Sequence, residues 1–134
     1  MYETILVPID VSHPEQASKA LGIAQQIGSG QSRIVALHVA ADIPTFIAGQ
    51  LPEGLLEKNL AYARKELASQ ADQAGAESEI RSGHPPTVIL EYAKEIGADL
   101  IIVASHRPGL QDYFLGSTAA RVVRHAQCPV LVDR

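Results

Sequence analysis

Short apolar runs of strand length alternate with apolar stripes of helical spacing from one end of the chain to the other. The strand-like runs cover residues 4–10, 34–39, 76–82, 100–104 and 130–132. Four helices are predicted between them, at about residues 13–27, 53–74, 88–96 and 116–125. This alternation is typical of an α/β protein with a doubly wound sheet of five mostly parallel strands and helices on both faces. The 134 residues fit a single domain, 1–134.

Single residues set the predicted boundaries and faces of these elements. Gly75 and Gly97 stop the second and third helices. The run at 76–82 alternates and carries charge, so we expect it at an edge of the sheet. The last helix is expected to turn Ala120 and Val123 inward. The apolar stripe of the long helix consists of Leu56, Leu60, Ala63, Leu67, Ala71 and Ala74.

Composition limits both the core and the partners. Hydrophobic residues make up 46% of the chain but aromatic residues only 4%, so the core must be aliphatic. A net charge of −4 argues against nucleic acid as the main partner, and the chain has no polybasic block for an anionic membrane. Cys128 is the only cysteine, and the N-terminal run lacks the basic region of a signal peptide. We therefore expect a cytoplasmic protein.

The predicted sheet nominates a ligand site. In open α/β sheets, ligands bind beyond the carboxyl ends of the strands, where the strand order reverses. If the first strand is central, the reversal lies between it and the strand at 100–104. Residues 8–10 (Pro8, Ile9, Asp10) and 105–107 (Ser105, His106, Arg107) then face each other across this point.

The start of the last helix has the parts of a phosphate site. Gly116, Ser117 and Thr118 lie where free backbone N–H groups and the helix dipole favour an anion. The two hydroxyls can donate to phosphate oxygens, and Arg107 can add a forked cationic contact. The alternative is an ordinary helix start with Ser117 or Thr118 as its cap.

Asp10 needs a different role, since a carboxylate repels phosphate. A place beside the ribose hydroxyls suits it, because it accepts their hydrogen bonds. The alternative is an Asx turn after the strand. The five histidines show no metal-ligand spacing, so no metal site is expected, and His38, inside a strand, is interpreted as structural.

Residues 5–12, 37–39, 97–105 and 115–132 together resemble the universal stress protein family over essentially the whole chain. Residues 104–108, with Tyr113, Gly116 and Ser117, are especially similar to the nucleotide-binding F/G-type branch. The resemblance implies a Rossmann-like sheet of strand order 3-2-1-4-5. It also implies a dimeric stress-response protein that binds ATP and acts as a sensor or switch.

The resemblance assigns roles to individual residues. Pro8 and Asp10 would flank the ribose and adenine, with Ile9 between them and Ser12 as a polar neighbour. Val39 would pack on the adenine, and Val103 would line the pocket. The sequence leaves open whether the nucleotide is ATP, ADP or AMP, and whether Mg²⁺ accompanies it.

The phosphate loop departs from the family pattern. Nucleotide-binding members carry Gly-x2-Gly-x9-Gly-Ser/Thr, and Gly116 with Ser117 matches its end. Ala104 stands at the first glycine and Arg107 at the second, and the loop is one residue shorter. Gly109 restores some flexibility. Ser105 and His106 complete the candidate loop.

Three classes of function fit these observations. The first is a nucleotide-dependent switch, the second a nucleotide-free interaction module, and the third a slow ATPase using Asp10 or His106. No catalytic residue is assigned, because no nucleophile motif is present. The apolar last strand, Val130, Leu131 and Val132, is expected at a sheet edge, where it favours pairing into a homodimer. For the loop at 40–52, the sequence leaves two roles open: closing over a ligand and docking a partner.

Overall fold

Five strands form one sheet in the order β3-β2-β1-β4-β5, and all four neighbouring pairs are parallel. The computed structural model describes residues 1–41, 45–105 and 115–134. The strands are β1 (Thr4–Pro8), β2 (Arg33–Ala40), β3 (Glu77–Ser82), β4 (Leu100–Ala104) and β5 (Val130–Asp133). The helices are α1 (Pro14–Ile27), α2 (Thr45–Ala48), α3 (Leu55–Gln73), α4 (Pro85–Ile96) and α5 (Ser117–His125). The predicted α/β class and strand order are confirmed.

The described residues hold five helices where the sequence predicts four. The additional helix, α2, lies inside the stretch at 40–52. It has only four residues, about one turn, and a single turn is too short to show a helical period in the sequence. Among the described residues, no helix is long and apolar enough to cross a bilayer.

The central strand β1 divides the core into two layers. Ile5 and Val7 point to the layer covered by α1 and α3, and Leu6 points to the layer covered by α4 and α5. All three side chains are fully buried. This burial on both faces explains the continuous apolar run in the sequence.

A carboxylate ties the starts of two strands together. Asp99 precedes β4, and its two oxygens accept hydrogen bonds from the backbone N–H groups of Glu3 and Thr4, at 2.8 and 3.0 Å. The Asp99 N–H in turn donates to the Thr4 carbonyl at 2.9 Å. These bonds hold β1 and β4 in register, so that their opposite, carboxyl ends meet at one edge of the sheet.

The inward face of α5 differs from the prediction. Ala119 and Val122 are buried, whereas Ala120 and Val123 are exposed. The sequence contains Ala119-Ala120 and Val122-Val123, so the same spacing of three residues fits either pair. Packing against α4 and the sheet selects the first pair.

Candidate functional site

A cleft of about 330 Å³ lies at the carboxyl ends of β1 and β4. In the sheet, β2 lies on one side of β1 and β4 lies on the other. The strand order therefore reverses between β1 and β4. Ligands bind at such points in open α/β sheets. The volume is at the lower end of the range that small-molecule sites occupy.

Asp10 stands at the mouth of the cleft, directly after β1. Its Oδ1 accepts a hydrogen bond from the Ser12 N–H at 2.9 Å, which forms the Asx turn that the sequence left open as the alternative to a ligand role. Its carbonyl accepts from the His13 N–H at 3.0 Å. The other carboxylate oxygen, Oδ2, is 3.8 Å from His13 Nε2, beyond hydrogen-bond distance. Because the Asp10 side chain is 58% exposed, Oδ2 is accessible to donors of a ligand.

The N-terminus of α5 borders the cleft opposite Asp10. Gly116 is its N-cap residue, with φ −61° and ψ 156°, and no side chain caps it. The first intrahelical bond runs from the Ala120 N–H to the Gly116 carbonyl at 2.9 Å. The N–H groups of Ser117 and Thr118 precede that bond, so they have no partner within the helix. The alternative in which Ser117 or Thr118 is the cap is wrong, because both lie inside the helix.

Ser105 closes the floor of the cleft. It is buried, its N–H donates to the Asp133 carbonyl at 2.9 Å, and its hydroxyl donates to the same oxygen at 3.3 Å. Asp133 is the last residue of β5, and its carboxylate pairs with Lys19 of α1 at 3.0 Å. The floor is therefore joined to the edge strand and to α1.

The inner walls of the cleft are apolar. Val39 and Leu37 contribute from β2, Val103 from β4, and Ile89 from α4, with Pro85 at the start of α4. Three of these side chains, Leu37, Ile89 and Val103, are buried. An apolar wall faced by hydrogen-bonding groups at the rim suits a ligand with one flat apolar part and one polar or charged part.

The structure brings most of the predicted site residues together. The ten that line the cleft are Pro8, Ile9, Asp10, Val39, Val103, Ala104, Ser105, Gly116, Ser117 and Thr118. Ser12 is exposed and does not line it, but its N–H orients Asp10. His106, Arg107 and Gly109 lie outside the described residues.

Sequence reasoning missed several residues of the cleft. His13 is the N-cap residue of α1, Gln16 lies in the first turn of that helix, and His38 comes from β2. The rule that the helix after β1 points its N-terminus at the switch point could have found the first two. His38 carries a weaker signal, its position beside Val39.

The resolved pKa shifts lie outside the cleft. The hydrogen bond from Arg33 lowers the pKa of Glu77, and burial raises the pKa values of Tyr92 and of the Cys128 thiol. Within the described part of the chain, no three metal-ligating side chains cluster. Among the described residues that line the cleft, the Asp10 carboxylate and the N-terminus of α5 are therefore the features on which we base its charge.

Fold and site together define a Rossmann-like α/β protein with a ligand-sized cleft at the switch point. The chain belongs to the universal stress protein family, whose family model matches residues 1–134. Universal stress protein G of Escherichia coli O157:H7 is 30% identical over 152 residues, and the match covers 100% of both chains. The resemblance found in the sequence is confirmed.

Solved structures agree with this assignment. The universal stress protein UspA from Lactobacillus plantarum has a TM-score of 0.79 and 30% identity, covering 99% of this chain and 98% of that one. A universal stress protein solved in complex with cAMP has a TM-score of 0.65 and 26% identity, covering 99% and 97%.

Proposed function

We propose that this protein binds an adenine nucleotide in the cleft and acts as a stress-response sensor or switch, through nucleotide-dependent assembly or partner binding. The observation that carries the proposal is the uncapped N-terminus of α5 facing a carboxylate across a cleft of about 330 Å³. The helix N-terminus favours the anionic phosphates of a nucleotide. The carboxylate favours the hydroxyl groups of its ribose, which donate hydrogen bonds.

The phosphates would lie at the N-terminus of α5. The N–H groups of Ser117 and Thr118 and the helix dipole stabilise an anion there. Gly116 allows a close approach, because it has no side chain. Among the described residues, a methyl group added there would have the Ser105 carbonyl oxygen, at 3.8 Å, as its nearest neighbour. The hydroxyls of Ser117 and Thr118 are further donors.

The ribose and the base would lie along β1 and β2. Asp10 Oδ2 accepts from ribose hydroxyls, while Oδ1 stays in the Asx turn. The adenine ring packs between Val39 and Val103, on the apolar wall. The relative that was solved with cAMP supports an adenine nucleotide as the ligand class. We propose ATP, ADP or AMP, with Mg²⁺ as a companion of the di- and triphosphates.

Isothermal titration with ATP, ADP and AMP tests the proposal. We expect saturable binding of one nucleotide per chain for at least one of them. The nucleotide that copurifies with the protein, identified by absorbance and mass, gives an independent measurement. If no heat is seen with any of the three and nothing copurifies, the proposal is wrong.

Assembly is the second half of the proposal. We propose a homodimer formed through β5, whose Val130, Leu131 and Val132 stand at the edge of the sheet. We also propose a cytoplasmic location, because Cys128 is the only cysteine of the chain and cannot form a disulfide within it, as suits a reducing compartment.

The nucleotide-free interaction module is the second candidate function. It is favoured by apolar side chains exposed on α2 and α3, namely Phe46, Leu56, Leu60 and Tyr62. Replacing Ala104 and Arg107 by glycine restores the two glycines of the family pattern. Under this alternative the double substitution creates nucleotide binding that the original chain lacks.

We propose no enzymatic role. Asp10 is the described carboxylate that borders the cleft, and one of its oxygens is already used by the Ser12 N–H. A slow ATPase would require it, or His106, to activate water. Phosphate release from ATP that disappears in Asp10→Asn would favour the ATPase instead.

A further inference from the structure

His38 lies beside Asp10 in the cleft and bonds to the peptide that carries it. The His38 side chain is half-buried and lines the cleft. Its Nδ1 is 3.1 Å from the carbonyl oxygen of Ile9, the residue before Asp10. A carbonyl oxygen only accepts, so Nδ1 carries the proton and donates this bond.

That bond fixes the orientation of the peptide plane between Ile9 and Asp10. The Ile9 carbonyl and the Asp10 N–H belong to one planar unit that ends at the Asp10 Cα. The preceding peptide is held by the bond from the Ile9 N–H to the Leu37 carbonyl at 2.8 Å. Because hydrogen bonds hold both peptides, the backbone has little freedom to rotate where it enters the turn at Asp10.

The residues after Asp10 hold it from the other side. The Ser12 N–H bonds to Oδ1 and the His13 N–H bonds to the Asp10 carbonyl. These local bonds shape the turn but do not tie it to the sheet. The bond from His38 is a side-chain contact that anchors the start of the turn to β2, across 29 positions of sequence.

We propose that His38 is a positioning residue for ribose recognition, which holds Asp10 Oδ2 where it accepts from the ribose hydroxyls. This inference rests on the proposed function. It gives the cleft a preference for ribonucleotides over 2′-deoxyribonucleotides, and it assigns that preference to a side chain which does not itself touch the sugar hydroxyls.

Two substitutions at His38 separate positioning from packing. His38→Leu removes the donor and leaves the Ile9 carbonyl without this bond. His38→Asn keeps a donor, because Asn Nδ2 is attached to Cγ as His Nδ1 is. Asp10→Ala removes the acceptor itself and serves as the reference variant.

The experiment is titration of the original chain, the three single variants and the double variant Asp10→Ala/His38→Leu with AMP and with 2′-deoxy-AMP. We expect the original chain to prefer AMP by roughly tenfold, the lower end for a lost hydrogen bond to a charged acceptor. His38→Leu and Asp10→Ala should reduce this ratio to about twofold or less, and His38→Asn should retain most of it. Adding His38→Leu to Asp10→Ala should leave the ratio unchanged.

The outcomes distinguish this inference from the proposed function. A general loosening of the cleft weakens the binding of AMP and of 2′-deoxy-AMP by the same factor. An unchanged ratio of the two affinities in His38→Leu therefore overturns the positioning role and leaves the proposal of nucleotide binding intact. A further fall of the ratio in the double variant contradicts action through Asp10. If the original chain binds neither nucleotide, the proposed function fails, and this inference fails with it.

Discussion

Two aspartates at opposite ends of the sheet use their carboxylate oxygens differently. Asp99 uses both oxygens to hold the backbone of Glu3 and Thr4. Asp10 uses one oxygen for the Ser12 N–H and leaves the other accessible. Asp99 therefore stabilises the fold, whereas Asp10 keeps one oxygen that can accept a hydrogen bond from a ligand.

The two aspartates should separate in stability measurements. Asp99→Ala leaves two backbone N–H groups without their charged acceptor and should cost about 2 kcal/mol of unfolding free energy. Asp10→Ala removes one bond at an exposed turn and should cost about 1 kcal/mol or less. Urea unfolding followed by circular dichroism measures both. Equal losses would contradict the division of roles.

Two glycines should separate in the same way. Of the described atoms, a methyl group at Gly116 would meet the Ser105 carbonyl oxygen at 3.8 Å, an ordinary contact, and the φ of −61° suits any residue. Gly116→Ala should therefore change stability by about 0.5 kcal/mol or less, while weakening nucleotide binding. At Gly83, φ is +140° and a methyl group would stand 2.8 Å from Val88 Cγ2.

Gly83→Ala is the matched control, since it strains the backbone and should cost more than about 1 kcal/mol. Thermal unfolding and AMP titration on both variants give the comparison. A Gly116→Ala variant that binds AMP as tightly as the original chain would contradict the placement of phosphate at α5.

At the scale of elements, the sequence predicts which helices and strands exist better than it predicts their faces. The alternating, charged run of β3 indicated an edge strand, and β3 is found at an edge of the sheet. The face of α5 could not be derived, because two adjacent alanines and two adjacent valines fit either register. The stripe of α3 was predicted too long.

The reason in α3 is geometric. Its 19 residues span about 28 Å, and it packs on both β2 and β3, whose eight and six residues span about 26 and 20 Å. Ala63, Leu67 and Ala71 are buried, but Leu56 and Leu60 remain 40% and 37% exposed. A sequence pattern records that a helix is amphipathic, but the length of the sheet beneath it decides how much of the stripe is covered.

Two leucines of α3 test this account. Leu67→Ala should cost about 3 kcal/mol, because the side chain is 1% exposed and leaves a cavity. Leu60→Ala, two turns earlier, should cost less, about 1 kcal/mol, since Leu60 is already 37% exposed and loses less buried area. Urea unfolding of the two variants measures the difference. Similar losses would mean that the first half of α3 is covered in solution.

At the scale of the whole molecule, the two edges of the sheet are chemically different. β3 carries Glu77 and Arg81, which pair with Arg33 and Glu95 at 2.8 Å. β5 carries an apolar row instead, Val130 to Val132. Charged side chains oppose strand pairing at an edge, and an apolar edge favours it.

This asymmetry makes β5 the edge at which two copies should pair. Light scattering at micromolar concentration should give twice the mass of one chain, with dissociation on dilution. The mass should change little with salt, because no ion pair is needed at that edge. A mass of one chain at every concentration would contradict pairing through β5.

The central claim is that an adenine nucleotide binds in the cleft between β1 and α5. Amide chemical-shift mapping by NMR with AMP tests it most directly. We expect the shifts to centre on Asp10, Val39, Ser105, Ser117 and Thr118. The residues of a second cavity, between α4 and the end of α5 and lined by Leu90, Lys94 and Gln127, should stay unchanged. The absence of shifts, or shifts centred on that second cavity, would contradict the claim.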